Sequence, residues 1–276
     1  MGGALALVAA VCWGIGDFLG GLSSKRLHVL TVLLVSQALG FAGLAVWVAA
    51  LRDPFPGLAE LLPALAAGAA GFIGLGALYR GLAIGAMGIV APISAAGPVI
   101  PLAVDLAQGR APSSVQWLGV ALVLVGIAVV SHEPARGERV VAAGVGLALL
   151  AASGFGFFFV FLDAASDESV PWAVLVARGS GVVLVLAVVL AVSAPLRPPR
   201  RSLAPLAGVG VFDTSANALI AAATTVTAAG VVAVLSSLYP LGTIILARLV
   251  LGERLSITRR AGGLVALAGA ALVAAG

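Results

Sequence analysis

The side chains of this chain that could take part in chemistry are a few ionisable and polar residues inside otherwise apolar segments. Asp213 lies near the middle of one such segment, and Asn217 follows one helical turn later on the same face. Arg178 lies about two turns into the preceding segment. A charge inside a lipid bilayer costs roughly 2.5–3.5 kcal/mol on insertion scales, so each charged residue should face a partner or a wet cavity.

Asp213 and Arg178 each have more than one interpretation. A low-dielectric cavity favours the neutral form of a carboxyl group, so Asp213 could exchange a proton with a gradient across the membrane. Alternatively, Asp213 is permanently paired with Arg178, or hydrogen-bonded to Thr214 and Ser215. Arg178 could attract a carboxylate or another anionic group. It could instead serve as a gate, as a fold-stabilising salt bridge or as an interfacial side chain.

A carboxylate and an aromatic ring also share one face of the first apolar segment. Trp13 and Asp17 are one helical turn apart, and an aromatic ring beside a carboxylate could hold a cationic or amino-bearing ligand. Asp17 could equally reach the headgroup region and meet Lys25 or Arg26. Both interpretations stay open.

Other kinds of chemistry lack the residues that they need. Cys12 is the single cysteine, and His28 and His132 are isolated from each other, so the sequence predicts no disulfide framework, no metal site and no cofactor. No set of side chains suggests an enzyme. Lys25 is the only lysine, and the basic residues are scattered among short loops, so we expect no nucleic-acid partner and no nucleotide-binding loop.

The rest of the sequence must hold these residues in place. The chain has 276 residues, 62% of them hydrophobic and 9% charged, whereas soluble domains average about 25% charged residues. A membrane-spanning helix takes about 20 apolar residues. We therefore predict an all-α polytopic membrane protein with ten transmembrane helices. Their predicted ranges are 3–22, 29–51, 61–83, 87–106, 114–131, 140–162, 170–194, 203–223, 227–249 and 257–275.

An internal repeat divides these helices into two sets of five. Residues 88–98 align without a gap with residues 230–240, and Gly, Val, Ala, Ser and Pro coincide in the alignment. We predict a first repeat over 1–132, a linker over 133–139 and a second repeat over 140–276. Because each repeat has an odd number of crossings, the two must be inverted relative to each other, which is typical of transporters with a site at the repeat interface.

The same alignment shows where the two copies differ. Arg178 of helix 7 aligns with Gln37 of helix 2, so Gln37 joins the candidate site residues. Asp213 aligns with Phe72, and Asp17 aligns with Phe157. Each charged candidate therefore occurs in one repeat only, which predicts an asymmetric site in a symmetric frame.

Positive charge is distributed unequally between alternate loops. The loops after predicted helices 1, 5, 7 and 9 carry most of the basic residues, and the other side carries Arg52 and Arg110 with several acids. By the positive-inside rule the basic loops face the cytoplasm, so both termini should be extracytoplasmic. Glu253 and Arg254 belong to one cytoplasmic loop, where we expect them to form structural ion pairs.

Prolines and tyrosines complete the candidate set. Pro92 and Pro98 should bend helix 4, and Pro240 should bend helix 9. Paired bends in equivalent helices suggest moving gates, although static kinks used for packing are equally compatible. Tyr79 and Tyr239 are further candidates for substrate contact, but membrane interfaces recruit tyrosine without any ligand.

Several of these features together resemble a known family. They are ten helices in two repeats, a proline in helices 4 and 9, and the motif Leu251-Gly252-Glu253-Arg254-Leu255-Ser256 before the last helix. This pattern, with Trp13-Gly14 in the first helix, is similar to the EamA-type branch of the drug/metabolite transporter superfamily over essentially the whole chain. The first repeat departs from it, with Gln108-Gly109-Arg110 in place of Leu-Gly-Glu.

The resemblance implies a secondary transporter of the bacterial inner membrane that works by alternating access. Such proteins often export amino acids, other small metabolites or toxic compounds. Coupling of this export to protons is the interpretation in which Asp213 exchanges a proton. The partners are then a small molecule, protons and the lipid bilayer. Two alternatives remain: a flippase for a lipid-linked carrier, which needs a basic headgroup pocket, and a membrane-embedded enzyme, which needs a convergent catalytic set.

Overall fold

The computed structural model describes residues 1–83, 94–131, 138–251 and 257–275, and these ranges contain helices and no β-strand. The helices are α1 (Gly2–Ser24), α2 (Val29–Leu51), α3 (Leu58–Ala83), α4 (Val99–Ala107), α5 (Ser114–Ser131), α6 (Glu138–Ser166), α7 (Val170–Ala191), α8 (Leu203–Thr224), α9 (Ala229–Ser236), α10 (Tyr239–Leu251) and α11 (Ile257–Ala275). A short 3-10 helix, Arg200–Ser202, precedes α8.

The described helices confirm the prediction of an all-α membrane protein. Six of them are long and apolar enough to cross a membrane, and shorter apolar stretches cover residues 114–126 and 229–243. The predicted ranges 29–51, 114–131 and 257–275 coincide with α2, α5 and α11. The number of ten spans stays a prediction.

The ninth predicted helix is two helices in the structure. The prediction of one helix over 227–249 is wrong at this point, because a turn at Ser237 and Leu238 separates α9 from α10. Pro240 has no N–H to donate to the carbonyl of Ser236, so the helical ladder is interrupted there. A turn over residues 95–98 likewise precedes α4, whose N-cap is Pro98.

Some sequence predictions fall outside the described residues. They are the proposed bend at Pro92, most of the predicted linker 133–139, and the predicted ion pairs of Glu253 and Arg254.

Helices α2 and α7, one from each half of the chain, pack antiparallel. At one end Thr31 Oγ1 donates to the carbonyl of Pro195, which follows α7, at 2.5 Å. At the other end Trp172 Nε1 donates to the carbonyl of Asp53, which follows α2, at 3.1 Å. Ser169 caps α7 and also donates to the Asp53 carboxylate at 2.5 Å. Both ends of the pair are thus fastened by hydrogen bonds.

Glycine allows the helices around this pair to approach closely. A Cβ on Gly154 of α6 would lie 2.6 Å from Cα of Gly74 in α3, and a Cβ on Gly14 of α1 would lie 2.8 Å from the carbonyl oxygen of Tyr239. Thr243 Oγ1 of α10 donates to the Gly14 carbonyl at 3.1 Å. The break between α9 and α10 is therefore held directly against α1.

A buried carboxylate connects α4 with α9. Asp105 Oδ2 accepts the backbone N–H of Gly230 at 2.6 Å, in the first turn of α9. The other oxygen, Oδ1, accepts Arg110 Nε at 3.0 Å and Nη2 at 2.7 Å. The positive φ of Gly109, 77°, turns the chain so that Arg110 can return to Asp105.

Candidate functional site

A cavity lies between the two halves of the chain, near the midpoints of several helices. The space between its lining side chains, including the part that is open to solvent, is about 950 Å³. Its wall is mainly apolar and contains Phe72, Phe155, Phe158 and Phe159. The polar and charged side chains on the described part of the wall are Trp13, Asp17, Gln37, Ser94, Arg178, Asp213, Asn217, Ser237 and Tyr239.

Arg178, Asp213 and Gln37 form one hydrogen-bonded group in the cavity wall. Arg178 Nη1 donates to Asp213 Oδ2 at 2.5 Å and also to Gln37 Oε1. Gln37 Nε2 donates to the same Asp213 oxygen at 3.0 Å. The residues come from α7, α8 and α2, so three helices of both repeats meet here. Of the arrangements open to Asp213 from sequence, the structure shows the ion pair with Arg178.

The guanidinium of Arg178 is only partly used by this group. Its side chain is 4% exposed. The buried Nε and Nη2 atoms have no hydrogen-bond partner within the described part of the chain. These two nitrogens lie on one edge of the planar guanidinium, where their N–H groups form a fork suited to oxygen acceptors. A buried donor without an acceptor costs about 1–3 kcal/mol, so this edge is a candidate ligand contact.

Asp17 lies in the same cavity and is 8% exposed. Across the residues that the structure describes, its carboxylate makes no hydrogen bond, and the two ion pairs found there do not include it. The alternative in which Asp17 meets Lys25 or Arg26 is therefore not the arrangement found. Asp17 lies within electrostatic range of Asp213.

Aromatic side chains line the cavity together with Asp17. The Trp13 ring makes edge contacts with Phe159 and Tyr239, with centroid distances of 5.8 and 6.3 Å. The Trp13 indole N–H donates to Asn217 Oδ1 at 3.2 Å, which fixes the ring against α8. The indole N–H of Trp13 and the amide oxygen of Asn217 thus bond each other. The substrate contact predicted for these two residues would use the remaining parts of their side chains that face the cavity.

The break between α9 and α10 and the turn before α4 meet at the cavity. Ser94, which precedes the turn before α4, lies 3.1 Å from the hydroxyl of Tyr239, the first residue of α10. Pro98 lines the cavity, whereas Pro240 is absent from its described wall. Sequence reasoning missed Ser94 and Ser237 as wall residues. A signal for Ser94 existed, because it is the serine that coincides with Ser236 in the repeat alignment.

Tyr79 is placed differently from the other candidates. It is 1% exposed and packs against Gly20 of α1, where a Cβ would overlap its ring. It is absent from the described wall of the cavity. The ring therefore supports α1 close to Asp17, and direct contact between Tyr79 and a ligand has no support in this geometry.

This arrangement suits the binding of a small polar or charged organic molecule. The wall offers a partly used guanidinium, several aromatic rings and a carboxylate that has no ion-pair partner among the described residues. Within the described residues, no group of three or more histidine, cysteine, aspartate or glutamate side chains could hold a metal ion.

Comparisons with known proteins agree with these observations. The family model described as "EamA-like transporter family" matches residues 1–132 and 142–275. A solved structure, titled only as the crystal structure of a protein, is similar with a TM-score of 0.75 and 14% sequence identity. The match covers 98% of this chain and 95% of the other, and at that identity it shows the fold alone. The search of curated proteins found no match.

Proposed function

Because the chain belongs to the EamA-like transporter family, we propose that it is a secondary transporter that exports a small organic solute across the bacterial inner membrane. The solute binds in the central cavity, which opens alternately to the two sides. The family match over both halves of the chain supports transport, and the cavity between the halves supports the location of the site.

The single observation that carries the proposal is the position of the cavity between equivalent helices of the two repeats. Gln37 and Arg178 align in the two repeats, and they contact each other across the cavity wall. The antiparallel pairing of α2 and α7 is the arrangement expected if ten spans form two inverted repeats. Arg52 and Ser193, just after these helices, share a φ of 53°, which supports the same equivalence.

The break between α9 and α10 supports alternating access. Discontinuous helices at the membrane midplane are a recurring feature of secondary transporters, where the broken backbone lines the substrate site. Here the break meets the turn before α4 through Ser94 and Tyr239. We propose that the segments around Pro98 and Pro240 move as gates, with both termini on the extracytoplasmic side.

Proton coupling would involve the cavity carboxylates. A proton on Asp213 would weaken its ion pair with Arg178 and allow the two helices that carry these residues, α8 and α7, to separate. Such a link between charge and helix position is the kind of two-state element that coupling requires.

Transport assays in inverted membrane vesicles test this function. We expect uptake of the exported solute to rise when the vesicle lumen is more acidic than the outside, because protons then leave the lumen as the solute enters it, and we expect Asp213→Asn to abolish that gradient dependence. Glu60→Gln, an exposed acid at the start of α3, is the matched control and should behave like the wild type. Gradient-dependent uptake that is unchanged in Asp213→Asn would refute the coupling role, and a chain that moves no solute from a broad panel would refute transport.

A further inference from the structure

The ionisable side chains on the described cavity wall do not balance when all are charged. They are Asp17, Arg178 and Asp213. Arg178 and Asp213 neutralise each other as an ion pair at 2.5 Å, so a charge on Asp17 has no counter-ion among the described residues. An empty cavity with all three groups ionised therefore carries one negative charge.

That uncompensated charge lies where a carboxylate is costly. Asp17 is 8% exposed and has no bonded partner in the described ranges. Moving a carboxylate from water into a protein interior costs several kcal/mol unless a counter-charge or hydrogen bonds compensate. The neighbouring charge of Asp213 adds repulsion. A cation bound beside Asp17 removes both penalties.

The surroundings of Asp17 favour an organic cation over a hydrated metal ion. Trp13 and Tyr239 line the cavity with Asp17, and their rings contact each other. Aromatic faces attract ammonium groups, and they offer no ligand to a metal ion. The remaining wall is rich in phenylalanine, which suits an apolar body attached to the cationic group.

The edge of the Arg178 guanidinium that carries Nε and Nη2 then determines which second functional group the ligand should have. Nε and Nη2 need an oxygen acceptor. A carboxylate would satisfy them but would add a third negative charge beside Asp213 and Asp17. A neutral hydroxyl or carbonyl oxygen satisfies the same donors without added charge. The charge count therefore favours a neutral acceptor.

We propose that the cavity selects organic monocations, in which an amine binds beside Asp17 and a neutral oxygen accepts hydrogen bonds from Nε and Nη2 of Arg178. Amino alcohols are the simplest members of this class. The inference rests on the proposed function in assigning these ligands as transported solutes, but selective binding itself requires no transport.

Four compounds of one carbon skeleton test the charge selection. Leucinol is a cation with a neutral hydroxyl, leucine is a zwitterion, 4-methylpentanoate is an anion and 4-methyl-1-pentanol is neutral. Their dissociation constants are measured calorimetrically at pH 7 with the purified full-length chain in detergent. We expect leucinol to bind about tenfold more tightly than any of the others, a difference of about 1.4 kcal/mol.

Variants of Asp17 identify the source of the preference. Asp17→Asn should bring leucinol and 4-methyl-1-pentanol to similar affinities, whereas Asp17→Glu should keep the preference for the cation. Glu60→Gln is the control for the loss of a remote acid. If Asp17→Asn fails to fold, the comparison of the four compounds in the wild type still tests the charge selection.

The outcomes separate this inference from the proposed function. Leucine, 4-methylpentanoate or 4-methyl-1-pentanol binding to the wild type as tightly as leucinol overturns it, and so does a cation preference that survives in Asp17→Asn or an absence of binding by all four compounds. Selective leucinol binding in a chain that transports nothing would leave the inference standing and refute the function. Transport without cation selectivity would do the reverse.

Discussion

Arg110 and Arg178 each bind a buried aspartate, and they do so with different parts of the guanidinium group. Arg110 uses Nε and Nη2, which donate to one carboxylate oxygen of Asp105 at 3.0 and 2.7 Å. Arg178 uses Nη1 alone, which donates to Asp213 and Gln37. The fork that Arg110 fills with a carboxylate of its own chain is therefore unfilled in Arg178 among the described residues.

The two arginines also differ in their access to water. The Arg110 side chain is 47% exposed, whereas that of Arg178 is 4% exposed. Water can complete the hydrogen bonds of Arg110, but it has little access to Arg178. Asp105 with Arg110 fastens α4 to α9, which is a structural contact. Asp213 with Gln37 orients Arg178 and leaves its fork to a ligand, which is the expected design of a preorganised site.

The largest expected effect is that of removing Arg178. Arg178→Gln leaves Asp213 buried without a counter-charge, and breaking a buried ion pair in this way typically costs about 3–5 kcal/mol. We expect a loss of that size in the free energy of unfolding, measured by denaturation in detergent, together with loss of leucinol binding.

The double variant Arg178→Gln with Asp213→Asn separates charge from packing. It contains no unpaired charge at this position, so it should recover most of the lost stability without recovering leucinol binding. A single variant that is as stable as the wild type would show that the ion pair contributes little, and the contrast between the two arginines would then lose its basis.

A smaller effect is expected when the charge of Arg178 is kept and its fork is removed. Arg178→Lys retains an ion pair with Asp213 but lacks the planar pair of donors. Leucinol should bind about five- to tenfold more weakly, the range of one hydrogen bond of about 1–1.5 kcal/mol. 3-Methylbutylamine, which has the amine and no oxygen, should bind both forms equally. Equal weakening of both compounds would place the effect in charge or packing.

The helices themselves were largely predictable from the sequence. The range 29–51 begins after His28 and ends before Arg52 and Asp53, so apolar composition and polar flanks fix α2 at both ends. The break after Ser236 was not predictable as a break, because a proline in a membrane helix is compatible with either a bend or an interruption. The break is accompanied by a close approach of Tyr239 to Gly14 of α1. This is a tertiary contact, which the local sequence does not show.

The members of the candidate site were easier to predict than their partners. A charge in an apolar segment marks Asp17, Arg178 and Asp213 without any structure. Whether Asp213 pairs with Arg178 depends on how α7 and α8 are rotated about their axes, which hydropathy does not report. The position of Tyr79 could not be predicted from the sequence. A tyrosine at a membrane interface and a buried tyrosine have the same sequence signature, and only the packing of Gly20 against the ring distinguishes them.

The smallest expected effect is that of removing Arg110. Arg110→Gln leaves Asp105 with the Gly230 N–H, and water can approach the position of the half-exposed guanidinium. We expect a loss of about 1 kcal/mol or less in the free energy of unfolding, as for other solvent-accessible ion pairs, and no change in leucinol affinity. The same denaturation and binding measurements apply. A loss as large as that of Arg178→Gln would contradict this comparison. The aspartate left without its arginine would then be equally costly at both positions, so the difference in solvent access would not explain a difference in stability.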